Sequence, residues 1–136
     1  MPNAATLHQQ TFDAVQARDF TKLRDLFHPD YTYWCSDGTE GAADESIGVV
    51  DLYTTAFPDL QFELRHQYSA GEDGPSVIEI TARGTHTGPL GDVPPTGKAV
   101  EVAVCNIIES RDGQIIRERE YYDSLSLMKQ LGLAEG

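Results

Sequence analysis

The stretch AVEVAVCNIIESRDGQI, residues 99–115, decides the fold. Val100, Val102, Val104, Asn106 and Ile108 alternate with Glu101, Ala103, Cys105, Ile107 and Glu109, the period of two that puts successive side chains on opposite faces of a strand. Arg111-Asp112-Gly113-Gln114 then reads as a hairpin turn, because Asp-Gly tolerates the left-handed backbone of a two-residue loop. The chain returns as a second strand, Ile115 to Asp123. At its centre the first strand is apolar on both faces, so helices covering one face leave Ala103, Cys105 and Ile107 in need of other cover. A second copy of the chain supplies that cover most economically, and a homodimer through the outer sheet face is expected.

Outward from this hairpin the pattern continues toward the N-terminus. Phe62, Leu64, His66 and Tyr68 share one face of a strand, and after the turn at residues 71–75 Ile78, Ile80, Ala82, Gly84 and His86 point inward on the next. A Gly- and Pro-rich loop, Thr87 to Lys98, connects that strand to Val100. Residues 3–28 carry a helical period, with Asp19 as N-cap of its second piece and an end at His28-Pro29, where proline disfavours helical backbone. A short aromatic strand, Tyr31 to Cys35, a turn at residues 36–39 and a second helical period over 42–57 follow. Leu125, Leu127, Met128, Leu131 and Leu133 mark a terminal helix. Helices first and a meander second predict an α+β fold over residues 1–136, a single domain whose N-terminal helices cover a cone-shaped, mostly antiparallel sheet.

The chain has 136 residues, 40% of them hydrophobic and 24% charged, the composition of one folded domain. Ten Lys and Arg against 22 Asp and Glu give a formal net charge of −12, which repels phosphate backbones and anionic lipid. Nucleic acid and membrane are therefore set aside as partners. Cys35 and Cys105 belong to no CxxC pair or zinc spacing and read as reduced core residues. Met1 to Ala5 lacks the basic and apolar regions of a signal peptide, so a cytoplasmic location is expected.

Walker A, GxGxxG, GxSxG and HExxH motifs are absent, and the histidines at 8, 28, 66 and 86 are not at metal spacing. No metal is expected. What the period-two reading turns inward is a polar set: His66, His86, Asn106 and Asp123. Asn106 stands in a valine and isoleucine face, where an unpartnered amide costs about 1–3 kcal/mol, so a pocket or a neighbouring loop must satisfy it. His66 reads as a core or interface histidine or as a catalytic donor, and His86 borders the loop where active-site groups often sit. His8 faces the same pocket or flanks it. Asp123 ends the last strand just before the terminal helix, which suits an N-cap and equally a pocket-wall carboxylate whose pKa desolvation raises.

Five motifs in order carry a family resemblance: Phe57-Pro58-Asp59-Leu60, Ala82-Arg83-Gly84-Thr85-His86-Thr87-Gly88, Pro94-Pro95-Thr96-Gly97-Lys98, Arg111-Asp112-Gly113-Gln114-Ile115, and Tyr122-Asp123-Ser124-Leu125 through Gln130-Leu131-Gly132. Over residues 5 to 133 the chain resembles the SnoaL-like polyketide cyclases of the nuclear-transport-factor-2-like, or ketosteroid-isomerase-like, superfamily. The resemblance implies a deep pocket, a dimer or tetramer, no cofactor, and Asp123 as the acid/base of an intramolecular aldol ring closure. A His-Trp pair frequent in the family is replaced here by Glu118 and Arg119.

The resulting expectation is a small cofactor-independent enzyme acting on a hydrophobic carbonyl compound by aldol-type cyclisation or isomerisation. Asp123 would move the proton, with His66, His86 or Asn106 donating to the oxyanion. Trp34, Tyr53, Asn106 and Tyr121 would line the pocket, and Arg119, on the face of Tyr121 and Asp123, would hold an enolate or carboxylate or, the simpler reading, form a salt bridge with Glu118 or another surface acid. The alternative is a non-catalytic small-molecule-binding module of the same fold.

Overall fold

Asn3 opens the first helix by accepting the Thr6 N–H at 3.0 Å, and α1 runs from Ala4 to Gln16 in the computed structural model, which describes residues 1–135. The helical run expected to residue 28, with its second piece capped by Asp19, is two separate helices and ends earlier, at Asp25. Arg18 adopts a left-handed backbone (φ 53°), Asp19 caps a separate short helix α2 (Phe20–Asp25), and Phe27 already begins β1 (Phe27–Cys35). Pro29 therefore lies inside a strand, in a stretch where the pairing register slips between Phe27 and Thr32. The order continues through β2 (Glu40–Gly41), α3 (Ala43–Ala56), β3 (Gln61–Ser69), β4 (Ser76–Thr85), β5 (Ala99–Arg111), β6 (Gln114–Tyr122) and α4 (Ser124–Gln130).

The strands form one six-stranded sheet in the order β2-β1-β6-β5-β4-β3, antiparallel throughout except for the parallel pair β1 and β6. The α+β architecture is the one expected. The β5–β6 turn is as read: Asp112 and Gly113 both take positive φ (53° and 75°), the type I′ geometry whose twist matches that of the strands. Leu7, Ala14 and Val15 on the inner stripe of α1 pack with Leu23, Phe27, Ile108 and Ile115 into the main core, and Leu127 and Leu131 of α4 close a second cluster against Val100 and Val102. No helix among the described residues is long and apolar enough to cross a membrane.

Two β-bulges change which residues face inward. In β3, Leu64 pairs with Ile80 and His66 with Glu79, so Arg65 is the extra residue. His66 is thereby turned out to solvent, 3.5 Å from Glu79, and Gln67 turns in. In β6, Ser110 pairs with Ile115 but Glu109 pairs with Arg117, leaving Ile116 as the extra residue. Ile115 is fully buried, and beyond the bulge the even residues Glu118, Glu120 and Tyr122 face the interior while Arg119 and Tyr121 face outward. A one-residue slip exchanges the two faces of a strand, and this one moved the expected site to its neighbours.

Candidate active site

A cavity of about 150 Å³ opens between the helices and the concave face of the sheet. Its long wall is apolar, built by Val100, Val102 and Val104 of β5, Phe12 and Val15 of α1, and Phe57 at the end of α3. Polar side chains line it as well. β6 contributes Glu118, Glu120 and Tyr122; β1 contributes Tyr33; α3 contributes Tyr53; the turn after β1 contributes Asp37. Among the described residues, no lysine, arginine or histidine lines the cavity.

Glu118 and Glu120 lie two residues apart on one strand face, and their surroundings differ. Glu118 is buried with both oxygens engaged: Tyr31 Oη donates to Oε1 at 2.6 Å and Asn106 Nδ2 to Oε2 at 2.8 Å. Burial raises its pKa, and these two donors oppose the rise. Glu120 is half-buried and accepts one side-chain hydrogen bond, from Tyr33 Oη to Oε2 at 3.0 Å. Burial, reinforced by the neighbouring Glu118 charge, pushes Glu120 from 4.5 up to about 7, against the pull of Tyr33 and Asn106. A carboxylate raised by burial and by a neighbouring carboxylate is the kind of group that can serve as a base near neutral pH.

The other polar wall is a hydroxyl chain. Tyr122 Oη donates to Asp37 Oδ2 at 2.9 Å, and Tyr53 Oη lies 3.1 Å from Tyr122 Oη. With the Tyr122 proton committed to Asp37, the Tyr53 proton is free to turn from Tyr122 to a ligand oxygen. Burial works against ionised Asp37, yet the Thr39 N–H and the Tyr122 hydroxyl hold its pKa below the usual range. Tyr33, Tyr53 and Tyr122 are all pushed upward, chiefly by burial, and so remain phenols able to donate.

Of the residues singled out from sequence, Tyr53 and Asn106 line this cavity. The others are elsewhere. Asp123 is exposed and caps α4, its Oδ1 accepting the Ser126 N–H at 3.0 Å, so it is not the pocket-wall carboxylate expected; the carboxylates on that wall are Asp37, Glu118 and Glu120. Trp34 and Tyr121 are 38% and 40% exposed on the outer sheet face, with ring centres 5.2 Å apart. Arg119 shares that face and lies 3.5 Å from Glu109. His86 is fully buried but stands behind the cavity wall, against Phe57, with Nδ1 accepting the Thr96 N–H at 3.2 Å. Sequence reasoning missed Glu118, Glu120, Tyr33 and Tyr122, and it assigned Asp37 only to its turn.

The family model for the SnoaL-like polyketide cyclases matches residues 6–131. The chain belongs to the SnoaL-like polyketide cyclase family. Among solved structures it is similar to AclR of Streptomyces galilaeus, a proposed hydroxylase, at 25% identity and TM-score 0.83, with 96% of this chain and 81% of that one covered. It is also similar to wild-type IdmH of Streptomyces antibioticus, a proposed polyketide cyclase, at 27% identity and TM-score 0.78, covering 93% and 96%. A protein from Catenulispora acidiphila with a ketosteroid isomerase-like fold shares 20% identity at TM-score 0.76, covering 94% and 93%, which places this chain in the same fold. No curated protein matches the sequence.

Proposed function

We propose that this SnoaL-like protein is a cofactor-independent acid/base enzyme acting on an uncharged, hydrophobic carbonyl compound, by intramolecular aldol-type ring closure or a double-bond shift. One observation carries the reading: Glu120, on the cavity wall beside Glu118, is a carboxylate that burial and the Glu118 charge push up to about 7, with an oxygen left over for a ligand. Both reactions begin by removing a proton beside a carbonyl, which needs a base of raised pKa and a donor for the developing oxyanion. Tyr53, backed by Tyr122 and Asp37, supplies that donor. Three acidic residues and no basic one on the lining favour a substrate without negative charge.

Exchange of α-protons for solvent deuterium tests the reading before the natural substrate is identified. Hydrophobic cyclic ketones that bind the cavity should exchange faster with enzyme, and the rate should rise with pH through about 7 as Glu120 ionises. Asp123→Asn should retain this exchange. Cavity binding without any catalysed exchange would instead make the protein a small-molecule-binding module.

We further propose a homodimer through the outer sheet face. Trp34 and Tyr121 are exposed there beside Cys105 and Ile107, and Glu109 lies 3.4 Å from Arg117 and 3.5 Å from Arg119 on the same surface. A patch with apolar centre and both charge signs is self-complementary about a two-fold axis. The wild type should have a dimer's mass by light scattering, and Ile107→Glu a monomer's. A monomeric wild type at tens of micromolar would refute the assembly.

A further inference from the structure

Behind the cavity wall, a line of side chains from the protein surface ends on Glu118, and with one His8 tautomer every hydrogen bond in it points the same way. Gln9 Nε2 donates to Gln67 Oε1 at 2.6 Å, and Gln67 Nε2 donates to Ser76 Oγ at 3.2 Å. Ser76 Oγ lies 2.8 Å from His8 Nδ1, His8 Nε2 lies 2.7 Å from Asn106 Oδ1, and Asn106 Nδ2 donates to Glu118. The polarity follows from the carboxylate end. Asn106 Nδ2 donates to Glu118, which when ionised only accepts, so the Asn106 amide presents its NH₂ to it and its oxygen to the histidine. His8 must then carry its proton on Nε2, leaving Nδ1 bare to accept the Ser76 hydroxyl. His8 and Ser76 are both fully buried. Burial lowers the His8 pKa to about 4, against the Asn106 bond, so the ring is neutral at pH 7 and carries the single proton this arrangement requires.

We propose that His8 is a positioning residue: from helix α1 it holds the Asn106 amide with its NH₂ toward Glu118, and the ionised Glu118 in turn sets the proton affinity of Glu120. Aligned hydrogen bonds polarise one another, and a chain that terminates on a carboxylate stabilises its charge. Tyr31 of β1, itself 2.9 Å from Ser46 of α3, adds the second donor to Glu118. Glu120 meets Tyr33 of β1, Asp37 of the following turn, Asn106 of β5 and Glu118. Of these groups, the Glu118 charge does most to hold the Glu120 proton on. Without His8 the Asn106 amide is free to turn its oxygen toward Glu118. Glu118 then takes up a proton, and Glu120, relieved of a negative neighbour, gives up its own at lower pH.

This inference rests on the proposed base role of Glu120 only for its effect on turnover; its test reads the carboxyls directly. In protein carrying ¹³C-labelled glutamate, His8→Leu should move the Glu120 midpoint down by about one unit and the Glu118 midpoint up. His8→Gln, which can still donate to Asn106, should leave both near the wild-type values. An unmoved Glu120 midpoint in folded His8→Leu would overturn the proposal. The wild type provides a check that needs no variant, because long-range ¹⁵N–¹H correlations must show His8 protonated on Nε2 and bare on Nδ1. The opposite tautomer would overturn the proposal even if His8→Leu fails to fold. If the carboxyls shift as expected but the pH dependence of deuterium exchange does not follow, the positioning role stands and the base assignment of Glu120 falls.

Discussion

Glu120→Gln should lose catalysed proton exchange by about 10²- to 10⁴-fold while folding more stably than the wild type at alkaline pH. The two effects have one origin. Glu120 binds its proton more tightly in the folded protein, near 7, than at the ordinary 4.5, so the folded state takes up a proton that the unfolded chain does not hold. The associated stability is complete below about 4.5 and is lost as pH rises through about 7. Glutamine keeps the shape and can still bond to Tyr33, but it has no charge to desolvate. The stability difference between variant and wild type should therefore grow on going from pH 5 to pH 8 by on the order of 2 kcal/mol, or several degrees in Tm. Thermal melts of both proteins at the two pH values read this without any substrate. A difference that stays constant with pH would show Glu120 to be an ordinary exposed carboxylate, and with it the proposed base would be gone.

Tyr31→Phe should be the most damaging single-atom deletion in the site. Tyr31 is 2% exposed, and its hydroxyl donates to Glu118 at 2.6 Å while lying 2.9 Å from Ser46. Phenylalanine fills the same space and leaves a buried carboxylate short of a donor, a defect that costs about 2–4 kcal/mol. Because burial raises the Glu118 pKa and a protonated Glu118 needs fewer donors, the loss should shrink as falling pH protonates it. Adding Glu118→Gln to Tyr31→Phe removes the uncompensated charge and should recover a large part of the stability. Urea denaturation of the four proteins in this cycle measures the coupling. A cycle that closes with no interaction energy would mean that Glu118 is not held ionised by its partners.

The correction at Asp123 follows from geometry. At a strand-to-helix junction the backbone N–H groups of the first helical turn have no intrahelical acceptor, and an aspartate there satisfies one of them. Asp123 does so for Ser126, and its exposure keeps it out of the apolar cavity. Glu120 instead lies on the cavity wall, close to Glu118.

The sequence by itself determined the fold class, the helices-then-meander order, the Asp112-Gly113 hairpin and the inward face of β5, including Asn106. These depend on local periodicity and turn chemistry, which neighbouring residues in the chain carry between them. It also carried the family resemblance, since ordered motifs need no knowledge of which way a side chain points. Only the tertiary structure decided which residues meet in the cavity. The bulges at Arg65 and Ile116 each insert one residue against none on the partner strand, and each exchanges the two faces of everything that follows. A period-two reading carries no record of such an insertion, so it kept His66, Arg119, Tyr121 and Asp123 inside. The sheet's pairing put Glu118, Glu120 and Tyr122 there instead, across from Ile108, Asn106 and Val104. The proton affinity of Glu120 is likewise a property of the assembled site, because desolvation and the Glu118 charge arise only when β1, β5 and β6 close around it.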